Sequence, residues 1–161
     1  MADVKQGRWT AEIDGDFVVF LIGARFSLRN PVASALDLGG QRSMNNMLAR
    51  LSDQPEKGLL GYQLGNRLGT FMVQYWRSFE HLEAFARSKD DPHALAWRTY
   101  WQRVGSSTRT GIWHETYLVR AGEYETVYGN MPLMGLAKAS RAVPVAEAKG
   151  ARKRLGRAPE R

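Results

Sequence analysis

The residues able to do chemistry in this chain concentrate in two places. One is Gly111-Ile112-Trp113-His114-Glu115-Thr116-Tyr117-Leu118-Val119, where an imidazole and a carboxylate sit side by side among aromatic rings. The other is His93, one helical turn before Trp97 on an aromatic stripe. Adjacent strand residues point to opposite faces, so Trp113, Glu115 and Tyr117 share one side and Ile112, His114, Thr116 and Leu118 the other. His114 and Glu115 then cannot serve one small pocket without a bulge. His114 is a candidate base, or a hydrogen-bonded core residue. Glu115 is a second candidate acid or base. In the first turn of a helix, a neutral imidazole such as His93 suits a base, or an axial ligand for haem. A partly exposed histidine near a helix start is the plainer account. His81 reads as a boundary histidine early in another helix.

The strand carrying His114 is expected to turn at Ala121-Gly122 into a second strand through Glu123–Pro132. That hairpin would set Glu115 and Glu125 on neighbouring strands, as a carboxylate pair or as exposed cross-strand charges. Tyr128 and Asn130, in Tyr128-Gly129-Asn130-Met131-Pro132, would border a shaped loop at a strand end, where pockets often form.

Several chemistries are excluded. There is no cysteine, hence no disulfide, thiolate-held metal or thiol nucleophile. A zinc-protease helix needs His-Glu-x-x-His, but position 118 is leucine and the segment is a strand. No metal site is supported by spacing. The glycines at 58, 61, 65 and 69 are not followed by the Lys-Ser/Thr of a phosphate loop, and no serine sits in a nucleophile elbow. Net charge is +7, yet 8 of the 23 basic residues and only 2 of the 16 acidic ones lie from Lys138 onward. The body is nearly neutral and lacks a basic stripe, so no specific nucleic-acid partner is expected. The longest apolar run, Phe17 to Gly23, is far too short for a membrane span, and without a basic stretch leading into an apolar one a secretory signal is not expected. A cytoplasmic protein is expected.

Positioning these residues requires the following elements. Residues 1–16 are polar and expected as a surface arm. Phe17–Ala24 is apolar on both faces, the mark of a central strand buried on two sides. Pro31–Leu38 suits a short helix, and Met44, Met47, Leu48 and Leu51 form one apolar helical face. Leu59–Leu64 and Thr70–Trp76 read as strands turning through Gly65-Asn66-Arg67. In the second of these, Met72, Gln74 and Trp76 form the wetter face, so Gln74 and Trp76 line a cavity or meet solvent. Ser78 caps one helix, and Asp91-Pro92 starts another that carries His93, Trp97, Tyr100, Trp101 and Val104. From Lys138 to Arg161 the composition predicts a basic, disordered tail. The order β, α, β, β, α, β defines an α+β class: a ferredoxin-like split-βαβ antiparallel sheet with helices on one face, over residues 17–137. Its uncovered face would be hidden by a second copy, making a homodimer.

Val73-Gln74-Tyr75-Trp76-Arg77-Ser78-Phe79-Glu80-His81-Leu82, the Trp113-to-Tyr117 string and Tyr124-to-Pro132 together resemble a family named after the monooxygenase of fumagillin biosynthesis. The resemblance spans roughly residues 15–137. It implies a dimeric α+β barrel, a superfamily of small monooxygenases and haem-containing aldoxime dehydratases. Some members use no cofactor because the substrate itself reduces O2; others hold haem through a helix histidine. The resemblance carries Trp113, His114, Glu115, Tyr117, Tyr128 and Asn130 over as pocket residues, to which the physical reading adds His93, Trp97, Trp76 and Gln74. The expected function is that of a monooxygenase acting on a hydrophobic small molecule of secondary-metabolite type, with either no cofactor or haem. A non-catalytic binding or dimerisation module and a haem-dependent lyase are the alternatives.

Overall fold

The computed structural model describes residues 3–65, 71–88, 92–105, 107–145 and 155, with side chains omitted at 40–43 and 92. The expected turn at 66–67, the cap at Asp91 and most of the basic tail lie outside the described residues.

The elements run β1 (Val4–Glu12), β2 (Phe17–Arg25), α1 (Pro31–Asp37), α2 (Gly40–Ser52), β3 (Leu59–Leu64), β4 (Phe71–Trp76), α3 (Phe79–Arg87), α4 (Pro92–Val104), β5 (Gly111–Val119), β6 (Tyr128–Pro132), α5 (Gly135–Ala139) and β7 (Arg141–Pro144). A four-stranded sheet in the order β3-β4-β2-β5 is antiparallel throughout. Helices connect β2 to β3 and β4 to β5, which with this strand order is the expected split-βαβ arrangement. The apolar strand β2 is central because both of its faces find partners. Its Val18 packs with Met72 and Trp76 of β4 against Met47, Leu48 and Leu51 of α2 and Leu82 and Phe85 of α3. Each large aliphatic side chain buried there contributes about 1.5–3 kcal/mol.

Several expectations change at the two ends of the chain. The N-terminal arm is a strand: β1 lies between β6 and β7 in a second, three-stranded sheet. Its Val-Lys-Gln-Gly-Arg-Trp-Thr-Ala-Glu sequence hides this, because only Ala11 of the strand is buried. The expected hairpin does not form. β6 pairs with β1, from Val4 opposite Pro132 to Trp9 opposite Tyr128, so Glu115 and Glu125 are not on neighbouring strands. Within the segment expected to lose structure from Lys138, Arg141–Pro144 forms β7, with Thr10 opposite Val143.

Alternate side chains explain why residues 124 to 130 belong with β1. The Tyr124 hydroxyl accepts from Ile13 N at 2.9 Å and Thr126 Oγ1 from Ala11 N at 2.8 Å. The Tyr128 hydroxyl accepts from Ala137 N in α5 at 3.2 Å. Asn130, at φ 50°, accepts from Gly7 N at 2.9 Å. This small sheet and α5 cover one end of the main sheet through Ala11, Phe17, Leu136 and Ala137.

Candidate active site

The β2–β5 register fixes which way each candidate points. Ile22 lies opposite His114, and Phe20 opposite Thr116. Ile22 and Phe20 pack on the helix-side core, so His114 is on that side, with its ring 5.5 Å from that of Phe20. Leu21 lies opposite Glu115 and Gly23 opposite Trp113, on the far side. Strand geometry thus divides the Trp-His-Glu-Thr-Tyr string as alternation requires.

On the helix side a file of rings runs from the core outward. Trp76 to Phe85 is 5.6 Å, Phe85 to His93 5.7 Å, His93 to Trp97 6.5 Å and Trp97 to Tyr100 6.0 Å between centroids. Trp76 lies across β2 from Leu118, near the end of β5. Tyr100 donates its hydroxyl to the carbonyl of Thr110, just before β5 begins. The aromatic stripe of α4 is only half sealed: Tyr100 and Val104 are buried, while Trp97 is 41% and Trp101 50% exposed. His114, Thr116 and Leu118 of β5 are exposed as well. These exposed side chains of α4 and β5 are the open aromatic and polar groups of the helix side.

The imidazole of His93 is oriented by its surroundings. Its Nδ1 is 3.2 Å from the carbonyl oxygen of Ala86. A carbonyl only accepts, so in the neutral ring the proton is on Nδ1 and the lone pair on Nε2. Stacking against Trp97 at an interplanar angle of 10° holds the ring. That lone pair can accept a proton, or ligate a metal with Nδ1 anchored in the way ligating histidines are. Among the described residues no cluster of three or more acidic or histidine side chains could hold a metal ion.

Other candidates fall elsewhere. Gln74 and Trp76 are not on a wetter face: they are 6% and 0% exposed. The Trp76 indole donates to Gln74 Oε1 at 2.9 Å, and the Gln74 amide contacts Met72 Sδ at 3.2 Å. Tyr128 packs with Val19, Tyr75 and Val119 on the far side and accepts from Ala137 N of α5, while Asn130 ties β6 to β1 through Gly7 N. His81 binds Ser78 Oγ at 2.9 Å and packs on Gly58, where a Cβ would stand 2.5 Å from its ring. On the far side Trp113 stacks on Phe71 at 5.7 Å, and the Tyr117 hydroxyl donates to Glu115 at 2.6 Å. That bond, with the nearby carboxylate charge, raises the Tyr117 pKa.

Sequence reasoning missed two features. Phe85 bridges Trp76 and His93, a link that no spacing announces. Asp37 takes Arg109 Nε and a terminal nitrogen, both at 2.8 Å, and Thr110 Oγ1 at 2.8 Å. The Arg109 hydrogen bond holds the Asp37 carboxyl below its usual range, against the opposing effect of burial. This pins α1 to the connector that leads into β5. A cavity of about 410 Å³ lined by Ser52, Pro55, Leu59, Leu60, Gly61, Tyr62 and Lys138 lies outside β3 and holds none of the candidates.

The fold is an α+β fold of the dimeric α+β-barrel type. The chain belongs to the family of monooxygenases called af470-like, whose model matches residues 17–136. It is similar to a crystal structure of aldoxime dehydratase, with TM-score 0.63 and 18% identity over 90% of this chain and 45% of that one. An aldoxime dehydratase in complex with butyraldoxime is similar too, with TM-score 0.61 and 17% identity over 79% of this chain and 38% of that one. The chain thus spans less than half the length of these structures. No protein of curated function matches it.

Proposed function

We propose that this protein is a monooxygenase acting on a hydrophobic small molecule of the secondary-metabolite type, bound on the helix side against the exposed residues of α4 and β5. The supporting observation is His93, whose Nδ1 is held by Ala86 and whose Nε2 lone pair is left over beside Trp97. In this reading Nε2 takes a proton from an acidic C–H or O–H of the substrate, and the resulting anion passes electrons to O2. In net terms a substrate CH2 becomes C=O: both of its hydrogens leave with one oxygen atom as water, and the other oxygen atom stays on the carbon. His114 donates a hydrogen bond from β5, and Trp97 excludes water. Trp113, Glu115 and Tyr117 lie across the sheet and take no part in that step.

A second reading, a haem-dependent lyase, is supported by the likeness to aldoxime dehydratase. His93 is the residue that would hold haem, and bound haem would supply iron for dehydration or for O2 chemistry. Adding haem to the purified protein separates the two. A sharp Soret band that disappears in His93→Ala supports haem ligation. An unchanged spectrum, with O2 uptake on a phenolic polycycle that falls at least tenfold in His93→Ala, supports the cofactor-free route. Uptake unaffected by both His93→Ala and His114→Ala would leave only a non-catalytic binding module.

A homodimer is part of the proposal. β5 closes one edge of the main sheet, and no described strand pairs with its outer side, a state that favours strand pairing with another copy. Light scattering on the purified chain tests this. No described helix is long and apolar enough to cross a membrane, and a cytoplasmic enzyme is proposed.

A further inference from the structure

We propose that α1 and the turn before it form a peripheral docking surface for an anionic bilayer, in which Leu28, Val32 and Leu36 enter the lipid and a collar of arginines meets its phosphates. The docking goes beyond the oxygenase reading. Only its use, to draw a hydrophobic substrate from the bilayer toward α4, rests on that reading.

Helix α1 is inside out. A surface helix ordinarily buries its apolar stripe and exposes its polar one. Here Ser34 and Asp37 are 0% and 4% exposed, while Val32 is 70% and Leu36 60% exposed. The buried polar groups are the anchors. Ser34 Oγ accepts from Ser27 N at 3.0 Å, and Asp37 takes Arg109 and Thr110. Val32 and Leu36 are four residues apart and share one face of the helix. Leu28, in the turn before it, is 96% exposed. Aliphatic side chains grouped this way in water mark an interaction surface.

Charge names the occupant. Arg29, next to Leu28, is exposed. Arg25 donates to the carbonyl of Thr108, and Arg103 of α4 donates to the carbonyl of Leu36 itself. A carbonyl accepts a hydrogen bond without cancelling the charge. Among the described residues no carboxylate forms an ion pair with Arg25, Arg29 or Arg103. Asp37 is the sole acidic residue from Phe17 to Ser52, there is none from Pro92 to His114, and Arg109 already pairs with Asp37. An open cleft of about 340 Å³, lined by Ala33, Leu36, Asp37, Arg103 and Arg109, gives a phosphodiester headgroup room beside these charges. Inserted aliphatic groups and arginines that reach the headgroup level are the two parts of interfacial binding. A second copy docked here about a two-fold axis would set the same arginines against each other.

Flotation of the full chain with vesicles of phosphatidylcholine and phosphatidylglycerol in equal parts, against phosphatidylcholine alone, tests this. The wild type is expected to bind the mixed vesicles about tenfold more tightly, and less so as salt rises. Leu28→Ser combined with Val32→Ser should weaken that binding about tenfold. Arg29→Gln combined with Arg103→Gln, where glutamine keeps an N–H for Leu36, should do likewise. Circular dichroism checks that each variant is folded. The basic residues near the C-terminus are a rival source of attraction, so the combined Arg152→Gln, Lys153→Gln and Arg154→Gln variant is the comparison. Because the chain has no cysteine, Leu28→Cys takes a single polarity-sensitive fluorophore. Its emission should shift to the blue on the mixed vesicles, with the C-terminal charges present or removed. A label at position 28 that stays in water on vesicle-bound protein overturns the proposal. So does binding that is lost with the C-terminal charges and unchanged in the Leu28→Ser, Val32→Ser variant. A molecular mass that halves in that variant, with vesicle binding unchanged, assigns the face to a second copy and overturns it too. Neither assay contains an oxygenase substrate, so failure here leaves the oxygenase reading standing, and failure of that reading leaves the docking surface standing.

Discussion

Replacing Gln74 by leucine tests whether the most buried polar pair of the helix side is architecture or site. Leucine is close to glutamine in volume, so no large cavity opens. The Trp76 indole N–H, on a residue with no exposed surface, then loses its acceptor Gln74 Oε1, which lies at 2.9 Å. An orphaned buried donor costs about 1–3 kcal/mol. The gain from an apolar side chain in an apolar site offsets part of this, leaving a net loss of about 1–2 kcal/mol. For a chain of this size that lowers Tm by about 2–8 °C. The assay is thermal melting of the wild type, Gln74→Leu, Trp76→Phe and the double variant. Phenylalanine has no N–H to orphan. Gln74→Leu should therefore cost about 1 kcal/mol less in the Trp76→Phe background than in the wild type. An equal loss in both backgrounds would refute the bond as the cause. Unchanged stability with altered substrate binding would place Gln74 in the site after all.

Three further outcomes follow from the same structure. Asp37 has a lowered pKa, so its contribution to stability is complete above its unfolded value and disappears as the pH falls through the folded one. Melting curves should show Asp37→Asn less stable than the wild type at neutral pH, with the gap closing in acid. Glu115→Gln should return the raised Tyr117 pKa toward that of a free phenol, read by ultraviolet titration of the tyrosinate. Asn130→Ala removes the acceptor for Gly7 N and leaves a Cβ residue at φ 50°, and should cost about 1–2 kcal/mol in denaturant unfolding.

The central strand was legible because it is apolar on both faces, and the division of His114 from Glu115 because strand period is independent of context. Gln74 was not: a glutamine on a strand looks wet until a buried indole N–H supplies its partner. The small sheet was illegible for two reasons. The polar residues of β1 face solvent over most of its length. The turn at Ala121-Gly122 imitates a hairpin, yet residues 123–127 cross to another sheet before β6 begins. The half-sealed stripe on α4 has the spacing of a core helix. Only the tertiary placement of β5 shows that Trp97 and Trp101 remain open.

The bonds that tie Tyr124, Thr126 and Asn130 to β1 also set an order of assembly. The Asn130–Gly7 contact closes a sequence separation of 123 residues. β1 therefore leaves the ribosome well before the strands it pairs with. The four-stranded sheet can complete itself once β5 has emerged, while β1 still waits for β6 and β7. Loop closure of that length slows pairing, and an unpaired strand edge invites the wrong partner in the interval. The polar composition that concealed β1 in the sequence then acts as protection: Lys5, Gln6 and Arg8 keep a waiting strand soluble until its own sheet is ready.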